Sequence, residues 1–174
     1  MNEIRDYKSD LQQSVEFFNS KIWTKISDYL GGGRIIAAET CSCELCQLMD
    51  RNSGIDYLQY LPDCGTRLLA SRVQWDGINW QSFTIRCSRE SGALTEYAKR
   101  KRDIKNGYIY PQYTIQGFVK YPDEVLSVAA IKTIDLFDFV EKASYIERRT
   151  TGNASFLCVW WSNLEDAGYE LIRA

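Results

Sequence analysis

Three short segments in the first half of the chain have the alternating apolar and polar pattern of β-strands, and turn residues separate them. They cover residues 55–61, 68–75 and 80–87. Asp76-Gly77 lies between the second and third segments, and such a pair is a hairpin signal. Their close succession predicts an antiparallel meander, so we expect a fold built around a sheet.

The segments on either side of this meander supply helices and further strands. From Glu3 to Leu30 apolar residues recur every three or four positions, which predicts one long amphipathic helix ended by Gly31-Gly32-Gly33. A second helix is predicted from Ile35 to Met49. Further helices are predicted at 95–105, 134–142 and 164–171, and extended segments at 108–119, 125–132 and 156–161. The order predicts an α+β fold in one domain, 1–174, with an N-terminal helix (1–30) and a core (35–174).

The composition excludes several classes of enzyme. The 174 residues include no histidine, which rules out a Ser-His-Asp triad and a His-ligated zinc hydrolase. The net charge of -2 gives no global attraction for nucleic acid, so any such binding requires a local patch. No apolar run approaches the length of a membrane span, and the start of the chain is polar. We therefore expect a cytoplasmic protein with no membrane partner.

The three predicted strands carry a group of polar side chains that suits phosphodiester chemistry. Arg72 and Gln74 share one face of the second strand, and Thr84 and Arg86 share one face of the third. Asp56 lies near the start of the first strand. A carboxylate can hold Mg²⁺ or Mn²⁺, and neighbouring cations can offset the charge of a phosphorane. Alternatively, Asp56 caps a turn and the arginines pair with surface acids.

This arrangement resembles the PD-(D/E)xK nuclease superfamily, the fold of restriction enzymes and Holliday-junction resolvases. The resemblance covers about a quarter of the chain, from Glu39 to Arg86. It implies a restriction-endonuclease-like core with a mixed sheet flanked by helices, Glu39 as the helix acid and Asp56 as the metal-binding aspartate. Where the superfamily has Glu-x-Lys, this chain has either Arg72-Val73-Gln74 or Ala70-Ser71-Arg72. The resemblance implies Mg²⁺ or Mn²⁺ held by Asp56 and Glu39, and catalytic roles for Asp56, Gln74, Arg72 and Arg86.

Two further groups of residues have alternative interpretations. Lys99, Arg100, Lys101 and Arg102 form a run of four cations, which either contacts phosphates or is a solvated helix face. Cys41, Cys43, Cys46 and Cys64 could hold zinc or an iron–sulfur cluster, but their spacing fits neither motif well. Free or buried thiols are the favoured interpretation.

Two functions follow from these patterns. The first is a metal-dependent DNA endonuclease or resolvase-like phosphodiesterase, a hydrolase that could act as a homodimer on DNA. The second is a noncatalytic phage- or mobile-element-type factor that binds nucleic acid, a nucleotide or a partner protein. Metal-dependent cleavage that is lost in Asp56→Ala distinguishes the first from the second.

Overall fold

A computed structural model of the protein describes residues 7–174, with side chains from residue 12 onwards. The α-helices are α1 (Tyr7–Phe17), α2 (Trp23–Ile26), α3 (Glu44–Ser53), α4 (Glu96–Asn106), α5 (Thr133–Lys142) and α6 (Trp161–Asp166). The strands are β1 (Arg34–Ala37), β2 (Tyr57–Tyr60), β3 (Thr66–Gln74), β4 (Ser82–Arg89), β5 (Tyr113–Lys120), β6 (Glu124–Lys132), β7 (Glu147–Thr151), β8 (Ala154–Trp160) and β9 (Ile172–Arg173). No helix among these residues is long and apolar enough to cross a membrane.

The N-terminal segment is helical from Tyr7 to Leu30 but is not one α-helix. A π-helical turn, Phe18–Ile22, separates α1 from α2, and a 3₁₀ turn, Asp28–Leu30, ends the segment. A π turn contains an extra residue, so it rotates the apolar stripe relative to a regular helix. The part of the predicted helix before Tyr7 lies outside the described residues. Gly31 has φ +80° and ends the segment, which confirms the predicted helix stop.

The larger sheet has six strands in the order β1-β2-β3-β5-β6-β9. β3 and β5 are parallel, and all other neighbours are antiparallel, so the sheet is mixed. An apolar core lies on each face of this sheet. On β6, Val128 and Ala130 belong to the core that contains the N-terminal helical segment, whereas Ala129 and Ile131 belong to the core that contains α5, α6 and the smaller sheet. This sheet is therefore buried on both faces, and the predicted α+β class with a mixed sheet and flanking helices is confirmed.

The smaller sheet has the order β4-β8-β7, and it corrects the predicted meander. β4 does not pair with β3: its partner is β8, from Ser82 opposite Trp160 to Arg89 opposite Ala154. The Asp76-Gly77 hairpin was therefore wrong. The Asp76 carboxylate accepts hydrogen bonds from Gln74 Nε2, Ile78 N and Trp80 Nε1, at 2.8, 3.0 and 2.9 Å. These bonds shape a loop that carries the chain from one sheet to the other.

The predicted helix from Ile35 to Met49 was also wrong. Residues 34–37 form β1, which pairs with β2, and α3 begins only at Glu44. The two adjacent isoleucines of β1 favour a strand over a helix. Glu39, predicted to lie on a helix, is in the turn between β1 and α3.

Candidate functional site

β3 separates two cavities on its opposite faces. A cavity of about 180 Å³ is lined by Asp56, Glu39, Ser71 and Val73, together with residues of the N-terminal helical segment. We call it the Asp56 cavity. A second cavity, of about 260 Å³, lies between β3 and the smaller sheet. We call it the arginine cleft, and its lining includes Arg72, Gln74, Trp80, Thr84, Arg149 and Phe156.

The structure brings three of the predicted polar residues together in the arginine cleft. Arg72, Gln74 and Thr84 all line it, although β3 and β4 belong to different sheets. Arg86 stands beside it, with its guanidinium 5.4 Å from the Phe156 ring centroid. The Arg72 guanidinium lies 5.0 Å from the same ring. The phenyl ring thus supports two guanidinium groups, an arrangement that cation–π attraction stabilises.

Glu96, on the first turn of α4, is the carboxylate that holds these arginines in place. Its Oε2 lies 2.6 Å from Arg72 Nη2 and accepts a 3.3 Å hydrogen bond from the backbone N–H of Arg86. Its Oε1 lies 2.7 Å from Arg100 Nη1. Burial disfavours the Glu96 carboxylate, but the positive charges of Arg100 and Arg72 outweigh this effect and lower its pKa to about 2. Two guanidinium groups pair with this carboxylate, and the charge of Arg86 also lowers its pKa. These four groups together carry an excess of positive charge, although Arg100 also acts on Asp56.

Arg149, on β7, forms the opposite wall of the cleft. Its guanidinium lies 4.1 Å from the Trp80 ring centroid and 5.4 Å from that of Trp160. Its Nε lies 2.6 Å from Glu147 Oε1, while Trp160 Nε1 donates to Glu147 Oε2 at 3.0 Å. Arg149 therefore presents a fixed, planar donor group to the cleft beside two half-buried tryptophan rings.

The Asp56 cavity contains the two residues predicted to hold a metal. Asp56 Oδ2 accepts a 2.6 Å hydrogen bond from Ser71 N, which fixes the carboxylate against β3. Burial raises the pKa of Asp56 to about 7, although this hydrogen bond and Arg100 act in the opposite direction. Burial also raises the pKa of Tyr57, and the neighbouring carboxylates of Asp56 and Glu39 raise it further. At neutral pH, Asp56 is therefore only partly ionised in the absence of a cation.

The neighbours of Asp56 offer little further help to a metal ion. Side chains alternate along β3, so Ser71 and Val73 face the Asp56 cavity, while Arg72 and Gln74 face the arginine cleft. Glu39 and Asp56 are the carboxylates that could hold a hard cation such as Mg²⁺, which also uses water and phosphate oxygens. Within residues 7–174, no group of three or more Cys, Asp or Glu residues is arranged to hold a metal ion.

The four consecutive cations of α4 do not form one surface. Arg100 is 2% exposed and pairs with Glu96. Lys101 pairs with Glu141 at 2.8 Å, and Arg102 pairs with Asp103 at 2.6 Å. Burial lowers the pKa of Lys99, which lies near Asp50. Arg100 thus lies inside the protein. Lys101 turns towards α5, whereas Lys99 and Arg102, three positions apart on the helix, both lie beside α3.

The cysteines lie in two separate places. Cys41, Cys43 and Cys46 surround the beginning of α3, and all are free thiols. β1 and β2 are antiparallel, so the residues that follow them lie at opposite ends of the pair. Cys64 follows β2 and Cys41 follows β1. The four cysteines that were weighed as a zinc or iron–sulfur site therefore do not meet in one place.

Sequence analysis missed several residues of the cleft. Glu96 was not among the predicted site residues, and its contact with Arg72 was not foreseen. Nothing in the local sequence marks the other missed residues as parts of a site, because only the pairing of the smaller sheet brings them to the cleft. They are Trp80, Arg149 and Phe156.

Comparisons of the chain with protein-family models, with curated proteins and with solved structures found no match.

Proposed function

We propose that this protein binds nucleic acid through the arginine cleft and does so without cleaving it. The observation that carries the proposal is the cluster of arginines around Glu96. Glu96 fixes the Arg72 guanidinium beside Arg86 and the Phe156 ring, and the arginines of this cluster outnumber its carboxylate. Arginine suits phosphate oxygens because its planar donors bind them in pairs, and the faces of aromatic rings can stack on unstacked bases. Gln74 and Thr84 add polar groups to the same cleft.

The lining of the Asp56 cavity supports binding over cleavage. In the resembled superfamily an acid and a lysine two residues apart accompany the metal-binding aspartate. The two β3 side chains that share a cavity with Asp56 are Ser71 and Val73, which supply neither. The absence of this acid and lysine is expected of a protein that keeps a nucleic-acid surface but has lost its hydrolytic site.

Binding is tested by fluorescence anisotropy with labelled single-stranded DNA, duplex DNA and single-stranded RNA over a series of salt concentrations. We expect Arg149→Gln to weaken binding and to reduce the slope of log K against log salt by about 0.7–0.9 for one lost phosphate contact. Arg72→Gln should act in the same direction, and circular dichroism must first show that it folds.

Arg173 provides a matched control outside the cleft. Like Arg149 it pairs with a glutamate, with Nη2 2.7 Å from Glu165 Oε2, and it lies over a tryptophan, 5.3 Å from the Trp161 ring centroid. The side-chain exposures, 37% for Arg173 and 35% for Arg149, are also similar. Arg173→Gln should leave affinity and salt slope unchanged. Equal losses in both variants, or no binding by the wild type, would refute the proposal.

A metal-dependent nuclease is the second candidate, because Asp56 and Glu39 line the same cavity. It predicts cleavage of single-stranded, duplex or four-way-junction DNA with Mn²⁺ that disappears in Asp56→Asn. Cleavage by wild type alone would replace the binding proposal with the nuclease. Equal cleavage by both proteins would indicate a contaminating enzyme.

A further inference from the structure

Three cysteines at the beginning of α3 have no part in the arginine cleft. Cys43 is the N-cap of this ten-residue helix: its backbone is extended, with φ -74° and ψ 122°. Its carbonyl accepts the first helical hydrogen bond, from Gln47 N at 3.2 Å. Cys46 lies one turn further along. The sequence Cys43-Glu44-Leu45-Cys46 is therefore a C-x-x-C unit on the first turn of a helix.

The two cysteines of this unit have opposite environments. Cys43 is exposed, whereas Cys46 is buried. Interactions with the backbone N–H groups of Cys46 and Leu45 lower the pKa of Cys43, against the small opposing effect of Glu44. The pKa of Cys46 is raised to about 11, first by its interaction with Cys41 and then by burial. An accessible nucleophile thus stands next to a protected thiol, the division that thiol–disulfide exchange requires.

The backbone geometry permits a disulfide between the two. Residues three apart on an α-helix have Cα atoms about 5 Å apart, inside the range of about 4.4–6.8 Å for disulfides. Cys41 lies beside both cysteines: its sulfur accepts a 3.4 Å hydrogen bond from Cys43 N, and it also interacts with Cys46. We propose that Cys43 and Cys46 are a thiol–disulfide exchange site that reduces small disulfides of the glutathione class.

The exchange takes place in two steps that balance. The Cys43 thiolate attacks one sulfur of the small disulfide, which forms a mixed disulfide and releases one small thiolate. The Cys46 thiolate then attacks the Cys43 sulfur, which closes the internal disulfide and releases the second small thiolate. The two released thiolates take up the two protons that Cys43 and Cys46 lose. Two electrons pass from the protein to the small disulfide.

The test uses the full chain, reduced, desalted and mixed with oxidised glutathione under argon, then quenched with acid and analysed by mass spectrometry. Wild type should lose two thiols and gain a link between Cys43 and Cys46, with no stable adduct at the helix. Cys46→Ser combined with Cys41→Ser should instead hold one glutathione on Cys43, because both neighbouring thiols that could resolve the mixed disulfide are then gone. Cys43→Ser should lose both products.

Two cysteines serve as controls. Cys64 is exposed but lies apart from Cys41, Cys43 and Cys46. The rate at which glutathione attaches to Cys64 in the same sample therefore measures the reaction of a thiol that is merely exposed. Cys41→Ser should close the Cys43–Cys46 link as wild type does. The proposal fails if Cys43→Ser still closes a disulfide, or if Cys43 in the variant that combines Cys41→Ser with Cys46→Ser captures glutathione no faster than Cys64. Circular dichroism is used to check that this double variant folds. If it does not, Cys46→Ala takes the place of Cys46→Ser in the test after the same check.

Discussion

Arg72 Nη2 lies 2.6 Å from Glu96 Oε2, and this contact ties the middle of the larger sheet to the first turn of α4. The same carboxylate holds the buried Arg100 at 2.7 Å through its other oxygen. Glu96 thus serves the fold and the arginine cleft together, because it neutralises a buried cation while it orients a cleft-lining one.

Replacement of Glu96 should destabilise the protein strongly. Glu96→Gln removes the carboxylate that pairs with the buried Arg100 and leaves only the partly ionised Asp56 nearby, and breaking such a buried pair costs about 3–5 kcal/mol. The comparison is Glu165→Gln, which removes the exposed partner of Arg173 and should cost less than about 1 kcal/mol. Urea unfolding at pH 7 measures both. Similar losses in the two variants would contradict the central position given to Glu96.

Glu96 should also make stability fall in acid. Its pKa is about 2 in the folded protein and 4.5 ordinarily, so its contribution is complete above about pH 5 and is lost as the pH falls towards 2. In urea titrations from pH 6 to pH 3, the wild type should lose more stability than Glu96→Gln. Parallel curves would show that Glu96 is not held as a carboxylate by the arginines.

Asp56 should have the opposite pH dependence. Its pKa is raised from 3.8 to about 7, so the folded state binds a proton that the unfolded state has released, and stability falls as the pH rises from about 4 to 7. Asp56→Asn removes this slope and can still accept the bond from Ser71 N. In buffer with EDTA, we expect the variant to exceed wild type by about 1–3 kcal/mol at pH 8 and by little at pH 4. A constant difference across this range would be the contrary result.

Gly33 should tolerate alanine much less well than its neighbour Gly32. Both have positive φ, +86° and +68°, so alanine at either should cost about 1 kcal/mol for the backbone alone. A Cβ on Gly33 would also overlap the Tyr60 carbonyl oxygen, whereas a Cβ on Gly32 meets nothing within 4 Å. We expect Gly33→Ala to cost about 1–3 kcal/mol more than Gly32→Ala in thermal unfolding. Equal melting temperatures would mean that β1 does not approach β2 as described.

Gly117 should be required for contact between the N-terminal helical segment and the larger sheet. A Cβ there would lie 2.7 Å from Ile22 Cδ1, so Gly117→Ala should destabilise by about 1–3 kcal/mol. Ile22→Val removes that methyl group and should recover part of the loss in the double variant. A double-mutant cycle by urea unfolding measures the coupling, and strict additivity would argue against the contact.

Local sequence pattern was enough for many individual elements. The segments predicted as strands at 68–75, 80–87 and 125–132 correspond to β3, β4 and β6, and the helices at 95–105 and 134–142 correspond to α4 and α5. The pattern is clear in β4 and α5 because each packs one face on a core, whereas β6 is apolar on both faces and is marked by its continuous apolar run. The stop at Gly31 was predictable for a similar local reason, since its backbone requires positive φ.

Pairing between distant segments was not predictable in this way. β4 has the same local pattern whether its partner is β3 or β8, so the meander error came from preferring the nearest neighbour. The cleft depends on that pairing: Phe156 stands opposite Arg86 only because β8 pairs with β4. Glu39 was placed on a helix because the helix predicted from Ile35 to Met49 ran across the turn that follows β1. Side-chain alternation correctly put Arg72 and Gln74 on one face of β3, but the position of Asp56 at the opposite face depends on how β2 and β3 pack and was not predicted.

The pairing of β4 with β8 also constrains the order of events during synthesis. A ribosome makes the chain from its N-terminus, so β4 is complete well before β8 exists, whereas β1, β2 and β3 can pair with one another as soon as β3 is made. Until β8 is made, Phe83 and Ile85, both fully buried in the finished protein, lack the strand that pairs with theirs. Between the synthesis of β4 and that of β8, the nascent chain therefore exposes an apolar segment that a chaperone can protect from aggregation.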